Sequence, residues 1–279
     1  MTEDGFGWTL RDPAPGAFHR LGPGGLWMPR AAGPAEAPPL LFVPGGYHGA
    51  WCYGGYLDAF AEAGVACAAA EPRGHGVLAG EGLDPGMGLE DFAQDVAAAA
   101  RHLAAITGAP PVLVGHSLGA LVVALAALLA PAAGLVLLAP SPPGNLPGAQ
   151  PVPALPGDRL RPPPSREEAD ARFFGGLAPP GLAAWHARLC PESPKALNDR
   201  YLLRIAVDPA GLRHLPGLCI EAGREDAARH PAGQDAAVAA FYGAEHVLMP
   251  EAPHCLMVGR AGAESAARIR AWHASLKRG

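Results

Sequence analysis

Between residues 40 and 140 the chain alternates short, continuous apolar runs with longer segments whose apolar positions recur at helical spacing. Leu40-Leu41-Phe42-Val43, residues 65–70, Val112-Leu113-Val114 and residues 135–138 have the length and content of buried strands. Residues 56–63, 89–106 and 118–129 predict helices. In the second of these, Leu89, Phe92, Val96, Leu103 and Ile106 are among the apolar positions. Further on, 218–222 and 246–249 predict short strands and 264–277 a closing helix. An early hairpin is expected around His19-Arg20-Leu21 and Leu26-Trp27-Met28. Buried strands alternating with helices predict an α/β fold, a mainly parallel central sheet with helices on both faces.

The rhythm breaks between residues 141 and 215. A Pro-rich run (142–164) is followed by helical patterns at 166–174, 182–189 and 195–205, with no clear strand. A helical insertion of this size usually covers a site, so residues 1–140 and 216–279 are expected to form the core and 141–215 a helical cap. The competing reading is a loose, Pro-rich linker. Phe173, Phe174, Leu177, Leu182 and Trp185 either give the cap an apolar pocket or pack it on the core.

Composition narrows the class. With 49% hydrophobic residues, the 279-residue chain can bury one large α/β core. Its 37 glycines and 32 prolines are read as turn-rich loops, because regular apolar segments persist around them. A net charge of −5 without a basic cluster argues against nucleic acid and anionic membranes as partners. The apolar stretch 120–140 is long enough to suggest a membrane span, but Pro131 and Gly134 divide it into a helix and a strand. Residues 1–5 lack the basic start and apolar stretch of a secretion signal. Five cysteines, odd in number and without metal-ligand spacing, fit reduced thiols in a cytoplasmic protein. No metal or cofactor is expected, and the oligomeric state is open.

Gly115-His116-Ser117-Leu118-Gly119 carries the chemistry. It joins a predicted strand to a predicted helix, so its serine hydroxyl is exposed on a sharp turn at the sheet edge. A nucleophilic serine needs a base, and the base needs an orienting group. His254 follows the last predicted strand and is the expected base. Asp226 follows the strand at 218–222 and is preferred as the acid over Glu221, Glu225 and Asp208, which lie within the strand, one step short, or before it. Asp226 could instead cap a helix starting at Ala227. The order Ser, Asp, His puts three roles at three strand ends. The Leu118 amide, at a helix N-terminus, and the Gly46 amide, in Pro44-Gly45-Gly46-Tyr47, are the expected oxyanion donors. His116 is read as structural, and Cys67 and Cys219 as core.

Together these residues resemble the α/β-hydrolase superfamily, over nearly the whole chain outside the cap. Pro44-Gly45-Gly46-Tyr47-His48-Gly49-Ala50-Trp51 is similar to the oxyanion loop of the methylesterase and hydroxynitrile-lyase branch, with Pro44 where His is usual. Glu71-Pro72-Arg73-Gly74-His75-Gly76 matches the loop after the next strand, with Glu71 where Asp is usual. The resemblance implies Ser117 as nucleophile, Asp226 as acid, His254 as base, and oxyanion donors on Gly46 and Leu118. Ser117 argues against the Asp nucleophile of epoxide hydrolases and dehalogenases. Cys255 and Gly45 stand where lyase members carry Lys and Thr, which disfavours lyase chemistry. The expected function is cofactor-free hydrolysis of a small, uncharged, mostly apolar ester, with lactone or thioester as variants. The alternatives are a small-molecule binding protein with little turnover and a C–C bond hydrolase of β-diketone-like substrates. Tyr47, His48 and Trp51 either line the pocket or pack beneath the cap, and Cys255 is read as pocket lining.

Overall fold

In the computed structural model, residues 12, 17–29 and 37–276 are described. The reading of residues 1–5 and the last predicted helical position, Lys277, lie outside that range. Eight strands form one sheet: β1 (Phe18–Leu21), β2 (Gly24–Trp27), β3 (Leu40–Val43), β4 (Cys67–Glu71), β5 (Val112–His116), β6 (Gly134–Leu138), β7 (Gly217–Arg224) and β8 (Glu245–Pro253). Their spatial order is β1-β2-β4-β3-β5-β6-β7-β8. The β1–β2 and β2–β4 pairs are antiparallel, and every other pair is parallel.

Side chains of the central strands alternate between two cores, as a two-residue period requires. Leu40 and Phe42, Val112 and Val114, Val136 and Leu138, and Leu218 and Ile220 point to one face. Leu41 and Val43, Leu113, Leu135 and Leu137, and Cys219 point to the other. Helices α1 (Gly54–Glu62) and α8 (Gly259–Ser275) cover the first face. Helices α2 (Leu89–Thr107), α3 (Leu118–Leu129) and α7 (Gln234–Tyr242) cover the second. Helix α3 is apolar almost all round because it is nearly enclosed, from Leu118 through Ala124.

Between β6 and β7 the chain adds α4 (Arg166–Phe174), α5 (Leu182–His186) and α6 (Pro194–Tyr201), and no sheet strand. Ser165 caps α4 with a reciprocal bond to Glu168, and Pro194 fits the first position of α6 behind the Ser193 cap. A single antiparallel bridge, Arg161 with Glu192, ties the Pro-rich run to the segment before α6. Among the described residues, no helix is long and apolar enough to cross a membrane.

Candidate active site

The turn between β5 and α3 is built by steric necessity. A Cβ on Gly115 would overlap the Gly119 carbonyl, and one on Gly119 would come within 2.5 Å of the Pro44 carbonyl oxygen. Two glycines therefore let α3 start hard against both β5 and the loop after β3. Ser117 between them has φ 52° and ψ −117°. A non-glycine residue at such angles costs about 1–3 kcal/mol and persists only where its surroundings enforce it. Ser117 donates its amide to Leu138 and accepts the Ser141 amide on its own carbonyl, which fixes the elbow to the end of β6.

Ser117 lines a narrow cavity of about 60 Å³ together with His254, Gly46, Leu118 and Tyr47. His254 follows β8 directly, and its loop is tied to the elbow because the buried His116 ring nitrogen Nε2 bonds the His254 carbonyl at 2.9 Å. The structural role read for His116 is this contact. Burial keeps both His116 and His254 well below the usual histidine range, so both rings are neutral at pH 7. A neutral ring with one protonated nitrogen leaves the other as an acceptor. Among the described residues no direct hydrogen bond joins the Ser117 hydroxyl to the ring in this state.

The orienting carboxylate is a correction to the sequence reading. His254 Nδ1 lies 2.8 and 2.9 Å from the two carboxylate oxygens of Glu225 and makes no hydrogen bond to Asp226. Asp226 turns away, accepts the Ala228 amide at 3.0 Å and pairs with Arg229. It thus opens a hydrogen-bonded turn over residues 226–230, and no helix starts at Ala227. The cause lies in β7, which runs to Arg224 instead of ending at Ala222 and carries a register shift between them. Such an irregularity re-aims the following side chains. Burial pushes Glu225 up to about 7, while at Asp226 burial is outweighed by the Arg229 bond, the Ala228 amide and the charges of Arg229 and Arg172 together, which hold the carboxyl below its ordinary value.

Glu225, His230 and His254 also place potential metal-ligating atoms within 4.8 Å of one another. The Glu225–His254 hydrogen bond accounts for the approach of two of the three. His230 faces Gln234 at 3.5 Å and Asp235 at 3.8 Å through Nδ1.

Gly46 and Leu118 both border the cavity. The loop carrying Gly46 is held from the inserted segment. Tyr47 adopts φ 68°, its amide donates to Glu192 Oε2 at 3.0 Å, and its carbonyl accepts the Cys190 amide at 2.8 Å. Glu192 is in turn bound by His75 Nε2 at 3.0 Å and by the Ser193 amide at 2.8 Å. Burial opposes charge on His75, but the Glu192 carboxylate outweighs it and lifts the ring to about 8. Sequence reasoning did not single out Glu192. Its only signal was a lone acid beside Ser193 in a segment without a motif. Glu71, which replaces the usual Asp, accepts the Ala50 amide at 2.8 Å and the Val77 amide at 3.3 Å, bracing the same loop from below.

Four pocket expectations divide. Tyr47 lines the cavity. His48, Trp51 and Cys255 are corrected to packing. His48 stacks on Trp51 and tilts against Trp185, and Cys255 Sγ lies 3.9 Å from His48 Nε2, all fully enclosed. His48 and Trp51 lie in the connection between β3 and α1, and Cys255 shortly after β8. The expected apolar wall is also only partly realised. Phe173 lines the cavity, whereas Phe174 and Trp185 belong to the core and Leu177 is exposed. The remaining wall is formed by Leu197 and Tyr201 with Arg172, Arg200 and Arg229, and by Ser141, Asp226 and His230.

A sequence model described as "Alpha/beta hydrolase family" matches residues 40–268. Among solved structures, a thermophilic esterase from Thermogutta terrifontis is 18% identical, with 91% of this chain and 94% of that one covered and a TM-score of 0.65. A thermostable carboxyl esterase from Bacillus coagulans is 18% identical at the same coverages, with a TM-score of 0.66. A methylesterase from Arabidopsis is 17% identical over 83% of this chain and 98% of its own, with a TM-score of 0.60. At these identities the likeness is one of fold. No curated protein sequence matches the chain.

Proposed function

The chain belongs to the alpha/beta hydrolase family, and on that premise we propose that it hydrolyses a small carboxylic ester through a Ser117-His254-Glu225 triad. One observation carries the proposal. A serine strained at the β5–α3 elbow shares a cavity with an imidazole whose far nitrogen rests on a buried carboxylate.

In this reading Nδ1 keeps its proton on Glu225, so Nε2 is the free base. Substrate entering the cavity brings the hydroxyl and Nε2 into hydrogen-bond contact, a tightening common between free and substrate-bound enzymes. Nε2 takes the Ser117 proton as Oγ attacks the ester carbonyl. The amides of Gly46 and Leu118 receive the oxyanion. Nε2 then protonates the departing alcohol, leaving an acyl-serine, and a water deprotonated by the same nitrogen releases the acid. Glu225 holds the ring orientation and stabilises the imidazolium. Leu118, Phe173 and Leu197 offer apolar contact to the hydrocarbon of the ester. The insertion 141–215 acts as a cap, since α4 and α6 contribute cavity walls. The five buried free cysteines support a reducing, cytoplasmic setting.

A fluorophosphonate probe tests the proposal. It is expected to label Ser117 stoichiometrically, and Ser117→Ala is expected to lower kcat by roughly 10³-fold or more. A folded protein that neither labels nor turns over simple aryl esters would be a binding protein on the hydrolase fold.

A further inference from the structure

The cavity beside Ser117 is lined by three arginines from three separate segments: Arg172 on α4, Arg200 on α6 and Arg229 after β7. Among the lining residues Asp226 is the only carboxylate, and it is committed to Arg229. Arg200 is different from the other two. It is 4% exposed, donates Nη2 to the Arg229 carbonyl at 2.7 Å, and has no carboxylate within ion-pair distance among the described residues. Its Nη1 is buried without any hydrogen-bond partner, as are Arg172 Nε and Arg229 Nε. Asp235 is the one acid that acts on Arg200, from beyond ion-pair distance, and Asp235 lies 3.8 Å from His230.

A buried guanidinium stays charged and must find an anion or give up solvation for nothing. Three N–H groups without partners, on three arginines that line one cavity, point to an anion bound there. On α6, helix spacing brings Leu197, Arg200 and Tyr201 to one face at i, i+3 and i+4. Burial lowers Arg200 to about 10, consistent with a cation lacking compensation.

We infer that the cavity takes an ester carrying a free carboxylate, a half-ester of a short dicarboxylic acid, with Arg200 as the carboxylate anchor. This rests on the ester-hydrolase reading above and names its substrate class. A planar carboxylate matches a single guanidinium fork, and the narrow cavity suits a short chain between the scissile carbonyl and the anion. Leu118, Phe173 and Leu197 would flank that chain.

The test is a competition between p-nitrophenyl hemiglutarate and the neutral p-nitrophenyl pentanoate. The wild-type protein is expected to prefer the anionic ester by at least tenfold in kcat/KM, chiefly through KM. Arg200→Gln is expected to collapse that ratio towards one. The ratio does not depend on the amount of active protein, so partial misfolding of the variant leaves it interpretable. A wild-type ratio at or below one, or a preference that survives Arg200→Gln, would overturn the inference. Glutarate binding to Ser117→Ala, read by calorimetry, separates the two layers. Binding without turnover of either ester in the wild type would remove the hydrolase reading and keep the anionic subsite. Turnover of the neutral ester with no glutarate binding would do the reverse.

Discussion

At the scale of single residues, neighbouring acids at the end of β7 have opposite fates. Glu225 lies against His254 Nδ1 and Asp226 against Arg229. The two variants should therefore diverge: Glu225→Gln is expected to lower kcat by about 10²-fold or more, and Asp226→Asn by less than about tenfold. Equal losses would show that the turn holding Arg229, and not the imidazole, is what the acids serve. The strand-end positions of Ser117 and His254 were legible in sequence because each follows an apolar run. The acid was not. Its identity depends on two extra strand residues and a register shift opposite Pro250, whose carbonyl leaves no room for a Cβ on Gly223. A one-residue change of exit point swaps which carboxylate faces inward.

Elements show the same division between strong local signals and context. Helix α3 runs over the predicted 118–129 and α4 over the predicted 166–174, since an elbow starts one and a capping box the other. Helix α5 stops at His186, short of the expected 189, and α6 ends at Tyr201, short of 205. Both lie in the insertion, where packing and not periodicity sets the ends. Strand β8 was read as four residues and spans nine, because this edge strand is largely exposed and carries little apolar pattern. The α3 start is also where a small change should matter most. Gly119→Ala must push the helix off the Pro44 carbonyl, and a loss of about 1–3 kcal/mol in denaturant unfolding is expected, together with reduced turnover. Unchanged stability would mean that the elbow relaxes without strain.

For the whole molecule, the buried ionisable groups that join insertion to core set a pH limit. His75 is lifted to about 8 by Glu192, so its stabilising share is complete below about pH 6.5 and is lost as pH rises through 8. Glu71 and Glu225, both raised to about 7 by burial, release protons more readily when unfolded, so they too withdraw stability up to about pH 7. The signs agree, and Tm is expected to fall between pH 6.5 and 8.5. In His75→Gln the fall should be shallower from a lower starting Tm, and an unchanged slope would remove the ion pair from the account. The sequence alone determined the α/β layering and the placement of Ser117 and His254 at strand ends, because alternation of apolar runs and a glycine-flanked turn are local properties of the chain. Only the tertiary structure decided which carboxylate meets the imidazole, that Glu192 grips the Gly46–Tyr47 loop, and that three arginines from distant segments line the cavity beside the serine. Those are matters of where separate segments end in space, and a charge far away in the chain leaves no local mark of the cavity it will enter.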